Sequence, residues 1–176
     1  AASITGNAIL LTRAADGIAG AQPLTVGLAA LVIFALLTAV LRSPWIGAVA
    51  MIPNVVPVLL FFGMLGIGVA PLSLPTSLIG AVALGVAIDA TAHYLVRYRA
   101  ERATGLTPEQ AVALCNRHVG RPIAIASLML MLGFGSVAAS QFATLREFGI
   151  LTSVTMGICA LSDLQLLPAI LVRLRI

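Results

Sequence analysis

From Ser43 to Ile88 the chain carries no charged residue. Such a run has nothing with which to face water. In hydrocarbon, every backbone amide must be satisfied internally, so a helix is the form available to it, and one crossing takes about 20 mostly apolar residues. The run is too long for one crossing. Its middle, Gly63-Met64-Leu65-Gly66-Ile67-Gly68-Val69-Ala70-Pro71 followed by Pro75, is rich in turn formers and divides it. That predicts spans at roughly 45–64 and 74–96. Leu24–Leu41 is an uncharged run ending at Arg42-Ser43-Pro44, Pro122–Leu145 is another apolar stretch, and Phe148–Val172 is a last one, interrupted by Asp163. Only 9% of the chain is charged and 60% is apolar, whereas a soluble domain carries roughly 25% charged residues. A disordered chain, a secreted disulfide scaffold and an ordinary cytosolic enzyme are excluded. The predicted class is all-α: a polytopic bundle of five transmembrane helices with a short cytoplasmic amphipathic helix.

That short helix is predicted in the polar stretch between spans three and four. Thr107 can cap it, Pro108 suits its first position, and Gln110 completes a capping box. Ala111, Val112, Leu114 and Cys115 recur at helical spacing before Gly120 and Pro122 close the element. It reads as a helix on the membrane surface or as a solvated connector.

The formal net charge of +4 comes from ten arginines against six acids. Clustered basic residues can mark a nucleic-acid binder, but these arginines sit at the ends of apolar runs, as topology signals do. Arg42, Arg97, Arg99, Arg102, Arg117, Arg121, Arg173 and Arg175 fall on one side of a five-span arrangement, against Arg13 and Arg146 on the other. The positive-inside rule makes the first side cytoplasmic, with loop 97–121 and the C-terminus inside and the N-terminus outside. The chain begins AASITG, without Met or a signal peptide, and is expected to be a piece of something longer. Residues 1–22, with Gly6, Gly17 and Gly20, read as the tail of an extracytoplasmic domain, and 23–176 as the bundle. Cys115 and Cys159 form no disulfide framework and are expected to be free.

Asp89 is the residue that carries chemistry. It lies eight positions before Arg97, which at 1.5 Å per residue puts it about 12 Å inside the membrane. An Asp side chain is too short to snorkel out, so it must face protein or water. Low dielectric disfavours a charged carboxylate, so such a group can take up and release a proton, and acids of this kind mark proton relays. A fixed, hydrogen-bonded Asp is the alternative. Gly85 and His93 stand four residues to either side, on the same face. Gly85 with Ala81 makes a small-residue stripe that permits close helix approach. His93 reads as a relay partner or as an interfacial residue, and Tyr94 and Tyr98 as interfacial aromatics. Asp163 lies ten residues before Arg173, about 15 Å deep, in a polar patch with Ser162 and Gln165. It could meet Asp89 or only join helices. Pro53 and Pro57 bracket Asn54 in the second span and should kink it. Neither the two histidines nor the glycines offer metal or phosphate-loop spacing, so no enzyme activity, metal or cofactor is expected.

These segments together resemble a known family. Gly85-Val86-Ala87-Ile88-Asp89 resembles the G-x-x-x-D motif of the resistance-nodulation-division superfamily, and GVAIDATAHYLVRYRAER its MMPL and hydrophobe/amphiphile-efflux branches. The Pro53-Asn54-x-x-Pro57 helix, TPEQAV, HVGRPIAIAS, Gly133-Phe134-Gly135, REFGILTSV and LLPAILV agree in order, so that the resemblance covers about residues 3–172. It implies helices two to six of one half of a twelve-helix transporter, more like the C-terminal half, with the five-helix unit of sterol-sensing domains. It also implies proton-driven export of lipids or other hydrophobic molecules, with Asp89 as the coupling group and the other half, membrane lipids and substrate as partners. No nucleic-acid partner is implied, and a homo-oligomer is compatible with it. Many members carry a second acid or a Tyr after that Asp, where this chain has Ala90. A relay partner would then come from His93, Asp163 or the other half. A non-transporting lipid-sensing or scaffold module is the other reading.

Overall fold

The structure is a computed structural model that describes residues 7–71 and 73–175; among these there are helices and turns and no strand. The elements are α1 (Asn7–Leu41), α2 (Pro44–Gly66), α3 (Leu74–Ala103), α4 (Pro108–Cys115), α5 (Arg121–Val137), α6 (Ala143–Leu161) and α7 (Leu167–Leu174). Five stretches are long and apolar enough to cross a membrane: Gly20–Leu41, Pro44–Gly66, Pro75–Ala103, Pro108–Val137 and Ala143–Leu174. From Asn7 onward, the segment 1–22 is the start of α1; residues 1–6 lie outside the described residues.

Local chemistry sets the boundaries. Arg42 takes a left-handed backbone (φ 48°) after α1, and the Ser43 hydroxyl accepts the Ile46 N–H while Pro44 opens α2. Gly68 (φ 82°) supplies the backbone that a side chain disfavours in the next turn. Thr107 and Gln110 cap α4 reciprocally, as the sequence predicts, and the structure adds a second such box at the start of α3, formed by Ser73 and Thr76.

Two boundaries differ from expectation. Gly120 and Pro122 do not close the short helix. The chain passes from α4 through a π-helical turn, Asn116–Gly120, directly into α5. A second π-turn, Ser162–Leu166, joins α6 to α7. A proline stands two residues after each turn, Pro122 and Pro168. Proline has no N–H for the carbonyl four residues back, so the ladder opens just where the wide turn forms. The other difference is the connection between the last two spans, which lies at 138–142; α6 begins at Ala143 and keeps Arg146 and Glu147 in its opening turns.

α3 is the central helix, packed by α1, α2, α4 and α6, while α5 packs chiefly on α6. At the arginine-rich end, Leu41, Tyr94, Tyr98, Ala111, Cys115, Leu167 and Leu171 form one core. The apolar face of α4 is thus turned into the bundle rather than onto lipid. Tyr94 and Tyr98 are core residues too, not an interfacial belt. A buried phenol needs a polar partner, and Tyr94 has one: its hydroxyl donates to Asn116 Oδ1 at 2.7 Å, tying α3 to the first π-turn. Tyr94→Phe should cost about 1 kcal/mol, measured by thermal unfolding in detergent; an unchanged midpoint would dismiss this tie. Arg99 donates to the Leu41 carbonyl and closes the end of α1 against α3. Between α5 and α6 the backbones come close at Gly149, where a Cβ would lie 2.7 Å from Ala138 N and 2.8 Å from Phe134 O.

Candidate functional site

Two faces of α3 have opposite fates. Ala83, Ala87, Thr91, Tyr94, Leu95 and Tyr98 are buried, whereas Leu78, Ala81, Gly85, Asp89, His93 and Val96 form an exposed stripe at helical spacing. Asp89 stands in the middle of that stripe. His93 Nε2 approaches Asp89 Oδ1 at 3.4 Å, with both side chains about three-quarters exposed (73% and 77%). The pair lies in a furrow between α3 and the α4–α5 segment. One part, about 280 Å³, is lined by Gly85, Asp89, Ala90, Ile123, Ala126 and Ser127. The other, about 630 Å³, extends past His93 and Arg97 to His118 and Pro122.

A carboxylate turned outward from an apolar span is costly against lipid, by about 2.5–3.5 kcal/mol on insertion scales. The histidine offsets part of that, and the remainder must be met by water or by protein covering the furrow. The arrangement sets a carboxylate and an imidazole side by side on adjoining turns of one helix face. Gly85 is part of the same face, and nothing lies within 4 Å of where its Cβ would be. The close approach that the small residue permits is therefore not used by any described part of this chain.

Asp163 is placed differently. It is buried in the second π-turn and accepts a hydrogen bond from Thr91 Oγ1 at 2.5 Å. Thr91 is only two residues beyond Asp89, so the two acids do reach similar depths. Two residues turn a helix by about 200°, however, so they lie on opposite sides of α3 and share no patch. Asn54 completes the inner group. Its Nδ2 donates to Ala50 O at 2.7 Å and to Thr91 Oγ1 at 3.2 Å. α2 runs through Pro53 and Pro57 without leaving the helical conformation, and both prolines are buried with Asn54. Of the expected polar patch, Ser162 is buried and Gln165 is exposed. Thr91 was not a sequence-predicted site residue. A single Thr in Ala90-Thr91-Ala92 gives no signal except its position half a turn from Asp89. Cys115 and Cys159 are free and buried.

The model of the MMPL family matches residues 1–174. Membrane protein MJ1562 of Methanocaldococcus jannaschii is 26% identical over 148 residues, which cover 84% of this chain and 38% of that protein. The hopanoid transporter HpnN of Burkholderia multivorans is 30% identical over 147 residues, which cover 80% of this chain and 16% of that protein. The chain thus spans well under half the length of either relative. No solved structure matches it significantly. A family match from end to end, on a bundle of five apolar helices, places the chain in the MMPL family of membrane transporters related to the resistance-nodulation-division superfamily.

Proposed function

We propose that the chain is one membrane half of a proton-driven exporter of lipids or other hydrophobic molecules, with Asp89 as the group that carries the proton and His93 as its partner. The observation that carries this reading is the Asp89–His93 pair itself, turned outward into a furrow of an apolar bundle. An acid that serves only to join helices would be expected inside, with its hydrogen-bond partners supplied by neighbouring helices, and among the described residues Asp89 has none of these. An exposed one makes sense where a second helical half covers it and where its charge can change as that half moves. The similarity to a hopanoid transporter supports a hydrophobic, lipid-like substrate. The arginine-rich end faces the cytoplasm in this reading, and residues before the first span lead to an external domain. The prolines on either side of Asn54 each leave a carbonyl without its helical donor, which would let α2 flex there as it moves.

The test is export of a fluorescent lipid from vesicles that contain the full-length parent protein. Export should follow an imposed proton gradient and stop when a protonophore collapses it. Export indifferent to the gradient would sink the proton-driven reading and leave a lipid-sensing or scaffold module in its place. The covered-face part has its own check. A Cβ at Gly85 meets nothing within 4 Å in this chain, and the furrow of about 280 Å³ beside it has room for the rest of a leucine, so with Gly85→Leu thermal stability of the chain should hold while export falls at least about tenfold, equivalent to about 1.4 kcal/mol of activation free energy. Unimpaired export would mean that no second helix packs there.

A further inference from the structure

We propose that Asp163 is a second proton-binding site, and that Thr91 and Asn54 report its protonation to the back of α3. This deepens the proton-driven reading above and rests on it.

Asn54, Thr91 and Asp163 are all buried. A threonine hydroxyl has one hydrogen to give, yet Thr91 Oγ1 has two acceptors within reach, Asp163 Oδ1 at 2.5 Å and Asn54 Oδ1 at 3.4 Å. It can serve one at a time. With Asp163 as carboxylate, the bonds run toward it from Asn54 through Thr91. Asn54 Nδ2 gives one hydrogen to Ala50 O and the other to Thr91 Oγ1, which gives its own to Asp163. When hydronium delivers a proton to Asp163 and leaves as water, the new O–H becomes a donor. It donates to Thr91 Oγ1, and the threonine hydrogen turns to Asn54 Oδ1. No other bond is made or broken. The same three side chains therefore support two hydrogen-bond directions, and the charge of Asp163 selects between them.

Nothing nearby holds the carboxylate permanently ionised. Among the described residues no cation pairs with Asp163; the ionisable group facing it is the Cys159 thiol, one turn earlier. α2 carries no ionisable side chain. On α3, Asp89 and His93 occupy the opposite face and Tyr94 is engaged with Asn116, while Arg173 on α7 is ten residues further on. The two elements that feel the reversal are the ones that matter for transport. Thr91 is on the Asp89 helix, and Asn54 stands between the two prolines of α2.

Infrared difference spectroscopy of the full-length parent protein in lipid nanodiscs, stepped from acid to alkaline pH, reads protonated carboxyls directly. One component of the carboxyl C=O band should vanish in Asp163→Asn and persist in Asp89→Asn. It should shift in Thr91→Val, where the acid has lost its acceptor, and return to its place in Thr91→Ser. A band unchanged by Asp163→Asn would overturn the site, and a component unmoved by Thr91→Val would overturn its coupling to α3. If Asp163→Asn does not fold, the Thr91 pair decides the matter alone. The component assigned to Asp89 is scored separately in Asp89→Asn. Gradient-independent export with the Asp163 component intact would therefore retire the transport reading and not this site.

Discussion

Asp89→Asn in the full-length parent is expected to reduce gradient-driven lipid export to the level seen with the gradient collapsed. Groups that transfer protons contribute roughly 100-fold or more to rates, so a loss on that order is the outcome to look for. Asparagine is nearly the same shape, and the side chain is 77% exposed in this bundle. It leaves no hole in the core, and the amide no longer binds a proton. Folding and thermal midpoint should therefore be preserved, which separates this change from a core mutation. Export at wild-type rate in a well-folded Asp89→Asn protein would remove Asp89 from the proton pathway and return it to a structural role.

The largest effect on stability is expected at Gly149. An added Cβ there would sit 2.7 Å from Ala138 N, 2.8 Å from Phe134 O and 3.0 Å from the Val137 carbonyl carbon, all backbone atoms of the facing helix and its end. No side chain can rotate away, so α5 and α6 must part. Overpacking costs about 1–3 kcal/mol in ordinary cores; Gly149→Ala should fall at the upper end, and Gly149→Val beyond it. Separation of the two helices would also break the bond from Ser153 Oγ to Met131 O, now 2.8 Å. Gly133 in α5 is the control. Nothing lies within 4 Å of its Cβ position, so Gly133→Ala should be neutral or stabilising by up to about 1 kcal/mol through helix propensity. Thermal unfolding in detergent measures both, and equal midpoints for the two alanine variants would refute the packing argument.

Most of the fold could be read from punctuation. Charged residues at the ends of apolar runs, Pro44 and Pro75 at helix starts, and the Thr107–Gln110 box gave the spans and their order. The misplaced turn between the last spans has a simple cause. Arg146 and Glu147 drew the expected break toward themselves, whereas α6 carries both in its opening turns and the chain turns earlier, at 138–142. Pro122 read as a stop because a proline lacks a donor, yet the helix absorbed the gap by widening. The chemistry was half legible. That Asp89 and His93 share a face was legible because four-residue spacing is a property of the helix itself. The Asn54–Thr91–Asp163 group was not, because it joins positions 37 and 72 residues apart, and which helices meet is decided by packing rather than by spacing along one helix. The tyrosines were misjudged for the same reason: the core that buries both of them, and the Asn116 that Tyr94 bonds, come from other segments.

The π-turn at Ser162–Leu166 has a consequence for anyone who counts along this helix. A wide turn holds one residue more than an α-turn, so the angular numbering of side chains slips by about 100° across it. Positions that share a face before Ser162 do not continue onto that face after Leu166. Deleting one residue within the turn should let the ladder close, and α7 would then have to keep its docking against α4 or keep Asp163 opposite Thr91, but not both. A helical wheel drawn through Ala143–Leu174 with a single phase misassigns every residue on one side of the turn.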